Sequence, residues 1–199
     1  MAVTTAGTVI FIIAFLPLHF CFEDHEIAGL DEHNKFRKHH GAPKMKLTKD
    51  LNEIGNKCAK YYVEKDLFDH SCPYKNGAGE NLLKGGSGKT NNWTDWVVGA
   101  TRAFYRECNY YDWEYPGYGN CGHFTQVIWK ASTELGFGAF ANKKSLIVVA
   151  LYKEHGNMAY TCSFVKNVLE ASCHSESAAV NFLYVNLLFF EAVIFIIWF

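Results

Sequence analysis

Two histidines and two glutamates stand where the chain can bring them together, and imidazole with carboxylate is a pairing that holds divalent metals or moves protons. His123 opens the segment Cys121 to Lys130, CGHFTQVIWK, one helical turn before Val127. Phe124, Val127 and Ile128 have the spacing of a buried helical stripe, which predicts the His123 ring at the rim of a core, facing a cleft. Glu80 heads the strand-like GENLL (Gly79 to Leu83), His70 lies in the turn LFDHS, and Glu107 closes the helical pattern ending in FYREC. Two neutral imidazoles suit Zn2+ but leave it open positions for water or carboxylate, so affinity is modest and falls as the rings protonate. The same four groups can instead complete a buried hydrogen-bond network. No H-x-x-x-H pair marks a metal helix, since His123 is followed one turn later by Val127. A His/Glu pair beside Ser71 can activate water, yet neither a G-x-S-x-G elbow nor H-E-x-x-H is present.

The elements that must position these groups follow from periodicity. Ile27, Leu30 and Asn34 begin a first helix that the turn residues Gly41 and Pro43 end. Asp50 starts a second, with Leu51, Ile54, Cys58 and Tyr61 on one face. A third runs through Trp96, Val97, Ala100 and Phe104 to Glu107, and a short fourth follows Gly122. Leu135, Phe137 and Ala139 alternate, Ala141 to Lys144 turn, and Leu146 to Tyr152 is a continuous apolar run, which predicts a hairpin covered on both faces. Helices around an antiparallel sheet imply an α+β, three-layer domain.

HNKFRKHHGAPKMKL, GENLL, FYREC, CGHFTQVIWKAS and LYKEHGN, in that order, resemble the signature blocks of the CAP superfamily of cysteine-rich secretory, antigen 5 and pathogenesis-related proteins. The likeness covers roughly Ala28 to Leu169, and VVALYKEHGNMAYTCSFVKNVL is similar to the Golgi-associated plant pathogenesis-related type. Lys153, Glu154 and His155 depart from the proline that many relatives carry before the Gly-Asn pair. The resemblance implies an α-β-α sandwich with a central antiparallel sheet. It also implies that His70, Glu80, Glu107 and His123 form the central cleft, with His70 and His123 able to hold a divalent metal such as zinc, weakly. It implies a non-enzymatic protein that binds lipid, sterol or a protein partner in host interaction, defence or signalling. A metal-dependent hydrolase or protease on the same cleft is the alternative. Tyr110, Tyr111, Trp113, Tyr115 and Tyr118, with Pro116 and Gly117, are candidates to line an apolar ligand groove, or to pack over the core as an ordered loop.

The chain has 199 residues, 49% hydrophobic and 16% aromatic, with net charge −1, which argues against nucleic acid as a partner. Val9 to Cys21 is apolar and suits a signal peptide or N-terminal anchor, giving segments 1–22, a CAP domain over 23–170 and an apolar tail over 171–199. Ala178 to Phe199 is long enough to span a bilayer although it carries Asn181, Asn186 and Glu191, so the tail is a candidate span, removed anchor signal, surface helix or unfolded extension. Cys58, Cys72, Cys108, Cys121, Cys162 and Cys173 form an even set compatible with a disulfide framework, and Asn92-Trp93-Thr94 is a glycosylation sequon. These features point to an extracellular protein, secreted or tethered to the outer cell surface. The basic run Lys35, Arg37, Lys38, His39, His40, with Lys44 and Lys46, is either a solvated helix end or a contact for an acidic or anionic lipid surface. GGSGKT, Gly85 to Thr90, lacks the glycine a phosphate loop needs at Leu83 and is a surface loop.

Overall fold

A computed structural model describes residues 21–86, 92–158 and 161–171. The apolar run before Cys21, the tail beyond Ala171 and most of GGSGKT lie outside these residues. Among the described residues no helix is long and apolar enough to cross a membrane.

The elements are α1 (Asp24–His39), β1 (Lys46–Leu47), α2 (Lys49–Lys65), β2 (Gly79–Gly85), α3 (Trp93–Arg106) running into a tight 3-10 turn (Glu107–Tyr110), α4 (Gly122–Ile128), β3 (Glu134–Ala141), β4 (Leu146–Lys153) and α5 (Thr161–Asn167). The sheet order is β1-β3-β4-β2. β4 pairs antiparallel with both β3 and β2, placing Ala150 opposite Phe137 and Leu151 opposite Glu80. Among the described strands, only the two-residue edge strand β1 pairs in parallel, with β3.

β4 separates two cores, as its unbroken apolar run requires. Ile147, Val149 and Leu151 face α2 with Leu51, Cys58, Ala59, Tyr62 and Val63. Leu146, Val148, Ala150 and Tyr152 face the other side, with Phe36 of α1, Val97 and Phe104 of α3, and Phe124 and Val127 of α4. This is the expected three-layer α-β-α sandwich, with α2 on one face and α1, α3 and α4 on the other. α2 approaches β3 closely because both elements present glycine: a Cβ on Gly138 would lie 1.9 Å from the Gly55 carbonyl carbon.

The helices depart from apolar periodicity in informative ways. On α1 the buried face is Glu26, Gly29, His33, Phe36 and Arg37, while Ile27 is 42% exposed. Polar groups occupy this face because their hydrogen bonds close internally. Arg37 donates through Nε to the Pro43 carbonyl (2.8 Å), through one terminal nitrogen to Val127 and Trp129 (2.9 Å each), and through the other to Ser132 (2.8 Å). Burial lowers its pKa to about 10. The basic run is therefore divided: Lys35, Lys38 and His39 are exposed, whereas Arg37 and His40 are structural and buried. α2 is capped by Thr48, whose hydroxyl accepts from the Leu51 amide, and it buries Tyr62 rather than Tyr61. α4 is buried from His123 to Ile128 on every side, not along one stripe.

The cysteines do not all pair. Cys58 is joined to Cys72, and Cys108 is disulfide-bonded. Among the described residues Cys21 and Cys162 are exposed free thiols and Cys121 a buried one. Burial, with Glu107 nearby, pushes the Cys121 thiol up to about 11 and keeps it protonated.

Candidate functional site

His123 and Glu107 form one half of the site. Cys121, at the N-cap of α4, offers no side-chain cap, and Glu107 supplies one from the end of α3. Its Oε2 accepts from the amides of His123 (3.0 Å) and Phe124 (3.2 Å), and its Oε1 from His123 Nδ1 (2.6 Å). A carboxylate at a helix N-terminus satisfies amides that have no intrahelical acceptor and meets the positive end of the helix dipole. The His123 ring stacks on Phe104 with centroids 5.1 Å apart, and its carbonyl accepts from Asn81 Nδ2 (3.0 Å).

His70 and Glu80 form the other half. His70 has φ +58, a left-handed conformation uncommon for histidine. Three constraints hold it there. Its Nδ1 donates to Glu80 Oε2 (2.8 Å), its carbonyl accepts from Lys75 Nζ (2.6 Å), and Cys72, two residues on, is tied to α2 by the disulfide. Glu80, its side chain 1% exposed, also accepts from Tyr62 hydroxyl (3.0 Å) and Lys75 Nζ (3.0 Å). Burial first, and then the Glu80 charge, hold the Tyr62 phenol far above its ordinary pKa.

Both imidazoles thus spend Nδ1 on a carboxylate, so Nε2 is the ring atom a metal or ligand would use. His70, Glu80 and His123 border one cavity of about 470 Å3, together with Asp69, Lys75, Asn81, His155 and Asn157. Glu107 stands behind His123. Among the described residues bordering the cavity, Asp69 and Glu80 face the Lys75 ammonium, and with Glu107 behind His123 the balance favours a cation. Among the described residues no three His, Cys, Asp or Glu side chains are grouped to hold a metal ion; what borders the cavity is a pair of imidazoles, each with a carboxylate on Nδ1. Such a set fits a weakly held divalent ion completed by water. Ser71 is not among the cavity's lining residues; its amide donates to Asp69.

Sequence reasoning did not identify Tyr62, Lys75, Asn81, Asn157 or the role of His155. Ser132 Oγ donates to the Glu154 carbonyl (2.5 Å), Gly156 amide to Gln126 (2.8 Å), Asn157 to the Gly122 carbonyl (2.7 Å), and Thr125 to Asn157 (2.6 Å). These bonds fasten the 154–157 loop to α4 and to Ser132 in the turn beyond it, and bring His155 to the cavity. Burial, then Lys75, lower the His155 pKa. The Gly-Asn pair was the only local signal. Asn81 belongs to a buried chain: its Nδ2 donates to Tyr152 hydroxyl (3.1 Å), which bonds His33 Nε2 (2.8 Å).

The aromatic candidates separate. Tyr111 is buried, and Trp113 packs on it at 4.7 Å between centroids. Tyr110, Tyr115 and Tyr118 are exposed. Tyr111 and Tyr118, with Pro116, Cys121, Thr125 and Phe164, border a second cavity of about 380 Å3, which shares Gly122 and Asn157 with the first. Asn92 is the exposed N-cap of α3, accepting from the Asp95 amide (3.1 Å).

A family model described as the cysteine-rich secretory protein family, CAP, matches residues 30–152. The human Golgi-associated plant pathogenesis-related protein 1 is 32% identical over 143 residues, 70% of this chain and 89% of that protein. Secreted protein RBT4 of Candida albicans (strain SC5314 / ATCC MYA-2876) is 33% identical over 138 residues, 66% of this chain but 35% of that longer protein. Among solved structures, Na-ASP-1 superposes with a TM-score of 0.59 at 18% identity, over 77% of this chain and 45% of that one. NaASP2 with Zn2+ gives 0.55 at 20% identity, over 70% and 86%. At these identities the structural likenesses bear on the fold alone.

Proposed function

The chain belongs to the cysteine-rich secretory protein (CAP) family, and from that premise we propose that it is an exported or membrane-tethered binding module whose His/Glu cleft takes a divalent metal, zinc the best match. Proteins of this family are generally non-enzymatic. The observation that carries the reading is the paired arrangement of His70 on Glu80 and His123 on Glu107 beside one cavity. A carboxylate on Nδ1 orients an imidazole and raises its basicity as a ligand, so each half is built as a metal-ligating histidine usually is. His70 and His123 would hold the ion, which would supply a positive charge at the cavity floor; Lys75 and Asn157 would border whatever approached it. The Tyr111/Tyr118/Phe164 cavity is the proposed place for a lipid or sterol, and a protein partner is the other candidate. Asn92 is the proposed glycan site, being exposed within its sequon.

Calorimetric titration of the disulfide-bonded protein with Zn2+, alongside His70→Ala and His123→Ala, tests this. Weak binding in the parent, lost in either variant and on acidification, is the expected result. Affinity unchanged in both variants would remove the cleft from consideration. Native mass spectrometry of protein from a secreting eukaryotic cell reads co-purified lipid in the same sample. Turnover of a peptide or ester that is abolished both by chelation and by His123→Ala would instead favour the hydrolase.

A further inference from the structure

We propose that Asn76 is a site of spontaneous covalent modification: its side-chain amide is lost through a cyclic imide formed with the Gly77 nitrogen, which leaves aspartate or isoaspartate in the loop that frames the cleft. The inference rests on the loop itself and stands independently of the metal reading.

Asn76-Gly77 is the sole Asn-Gly pair in the chain. Asn76 has φ +48 and Gly77 φ +79, and the Ala78 amide donates to the Lys75 carbonyl (2.9 Å), so the two residues form the centre of a tight turn in the left-handed region. Asn-Gly is the pair such a turn prefers, because asparagine tolerates that region and glycine has no Cβ to oppose it. The missing side chain also leaves the glycine nitrogen open to reaction. Both residues are exposed, and a Cβ built on Gly77 would meet no atom within 4 Å. The Gly77 amide donates to no acceptor among the described residues.

The other asparagines are protected in one of two ways. Every described asparagine except Asn76, Asn109 and Asn120 has its side chain in a hydrogen bond. Asn109 and Asn120 are followed by Tyr110 and Cys121, whose side chains crowd the nitrogen that would attack. Among the described residues, Asn76 alone combines an unbonded side-chain amide with a following glycine.

The chemistry needs water and base only. The Gly77 nitrogen gives its proton to base and attacks Cγ of Asn76; the new C–N bond closes the imide, the Cγ–Nδ2 bond breaks, and ammonia leaves. Water then opens the ring. Attack at Cγ restores the backbone and yields aspartate, whereas attack at the backbone carbonyl yields isoaspartate, whose chain runs through the former side chain and is longer by one methylene. Nothing is oxidised or reduced. The attack requires the turn to open, and a surface turn closed by one backbone hydrogen bond opens far more readily than the core.

Placement gives the change a consequence. The Lys75 ammonium bridges the His70 carbonyl (2.6 Å) and Glu80 Oε2 (3.0 Å), and Lys75, Ala78 and Glu80 all border the cavity. Either product adds a negative charge to the residue next to Lys75. Isoaspartate also lengthens the path that the Ala78–Lys75 hydrogen bond closes, which loosens the loop between Cys72, tied to α2, and β2.

The test ages the full, disulfide-bonded chain at neutral and at mildly alkaline pH and maps its peptides by mass spectrometry, with isoaspartate read by labelling with an isoaspartyl methyltransferase. Position 76 is expected to convert ahead of Asn109 and Asn120, faster at the higher pH, with the gain of one acidic charge variant. Asn76→Gly keeps a residue suited to the left-handed turn and should remove that variant. In the isoaspartyl form the Ala78 amide should exchange about fivefold faster or more, the loss of one turn hydrogen bond, whereas Asn76→Asp carries the charge without the added methylene and should keep the parent rate. Asn76 intact after ageing, or conversion of another asparagine first, would overturn the proposal. Equal Ala78 exchange in fresh and isoaspartyl protein would overturn its reach into the cleft loop. Peptide mapping of the parent needs no substitution, so it decides even where a variant folds poorly.

Discussion

Replacing Glu107 should separate the stability of the fold from the chemistry of the cleft. In Glu107→Ala three donors lose their acceptor: the amides of His123 and Phe124, and His123 Nδ1. His123 is 5% exposed and Phe124 0%, so water replaces the carboxylate poorly. Each orphaned buried donor costs about 1–3 kcal/mol, and partial rescue of the imidazole by a tautomer change leaves an expected loss of roughly 3–5 kcal/mol. That is a large part of the 5–15 kcal/mol by which a domain is ordinarily stable. Glu107→Gln keeps one acceptor oxygen for the two amides but turns an NH2 towards Nδ1. The imidazole must then accept at Nδ1 and carry its proton on Nε2, the nitrogen a metal would use. Stability should fall by only about 1–2 kcal/mol, whereas Zn2+ binding should be lost. Urea unfolding gives the first quantity and calorimetry the second, and two-bond proton–nitrogen correlation spectra of the imidazole report the tautomer directly. A Glu107→Ala protein within about 1 kcal/mol of the parent would refute the capping argument. A Glu107→Gln protein with its proton still on Nδ1 would refute the tautomer argument.

Three further outcomes follow from packing and protonation. His33, fully buried and lowered by that burial to about 3, is neutral in the fold, with Nδ1–H donating to the Gly29 carbonyl and Nε2 accepting from Tyr152. The unfolded chain binds the proton first, so His33 contributes stability above pH 6.5 that is lost progressively as pH falls towards 3, at up to about 1.4 kcal/mol per pH unit; urea unfolding of His33→Gln should show a shallower acid limb, and an unchanged slope would exclude His33 as the source. Gly138→Ala would place a Cβ 1.9 Å from the Gly55 backbone, which no rotamer relieves, and should cost about 3 kcal/mol or more in unfolding; a near-neutral result would mean α2 can slide off β3 freely. Cys58→Ser with Cys72→Ser opens a link of sequence separation 14 and should lower stability by about 3 kcal/mol, with faster exchange of the 69–78 amides; equal exchange would show that Glu80 and Lys75 alone hold His70.

The sheet hairpin and the short helix after Gly122 were legible because each is made by local pattern: alternation before the turn, an unbroken β-prone run after it, and a glycine opening an apolar helix. α1 was harder. Its apolar periodicity pointed to Ile27, which is exposed, whereas the true inner face carries His33 and Arg37, whose partners lie as far away as Tyr152 and Ser132. A polar residue announces nothing about burial until its hydrogen-bond partners are known, and those arrive from other elements. The aromatic run had the same ambiguity. Composition could not tell Tyr111, folded under Trp113, from Tyr110 one residue earlier and 78% exposed.

What the sequence determined by itself was the first four helices, the β3–β4 hairpin, the strand at Glu80 and the two-sided burial of β4, while β1, α5 and the 3-10 turn at Glu107 went unpredicted; the resemblance added Glu80, Glu107 and His123 in ordered motif blocks, with His70 in the turn before them. The elements depend on residue type and spacing along the chain, which local sterics and hydrophobic period translate directly, whereas the grouping of the site residues rested on the resemblance. Tertiary structure alone decided that Glu107 caps the helix of His123, that Lys75 and Tyr62 share Glu80, that the 154–157 loop carries His155 to the same cavity, and that Cys121 is a free thiol. Apart from the local Lys75–Glu80 bond, these depend on contacts, or on the lack of a disulfide partner, between segments that only the closed domain brings together.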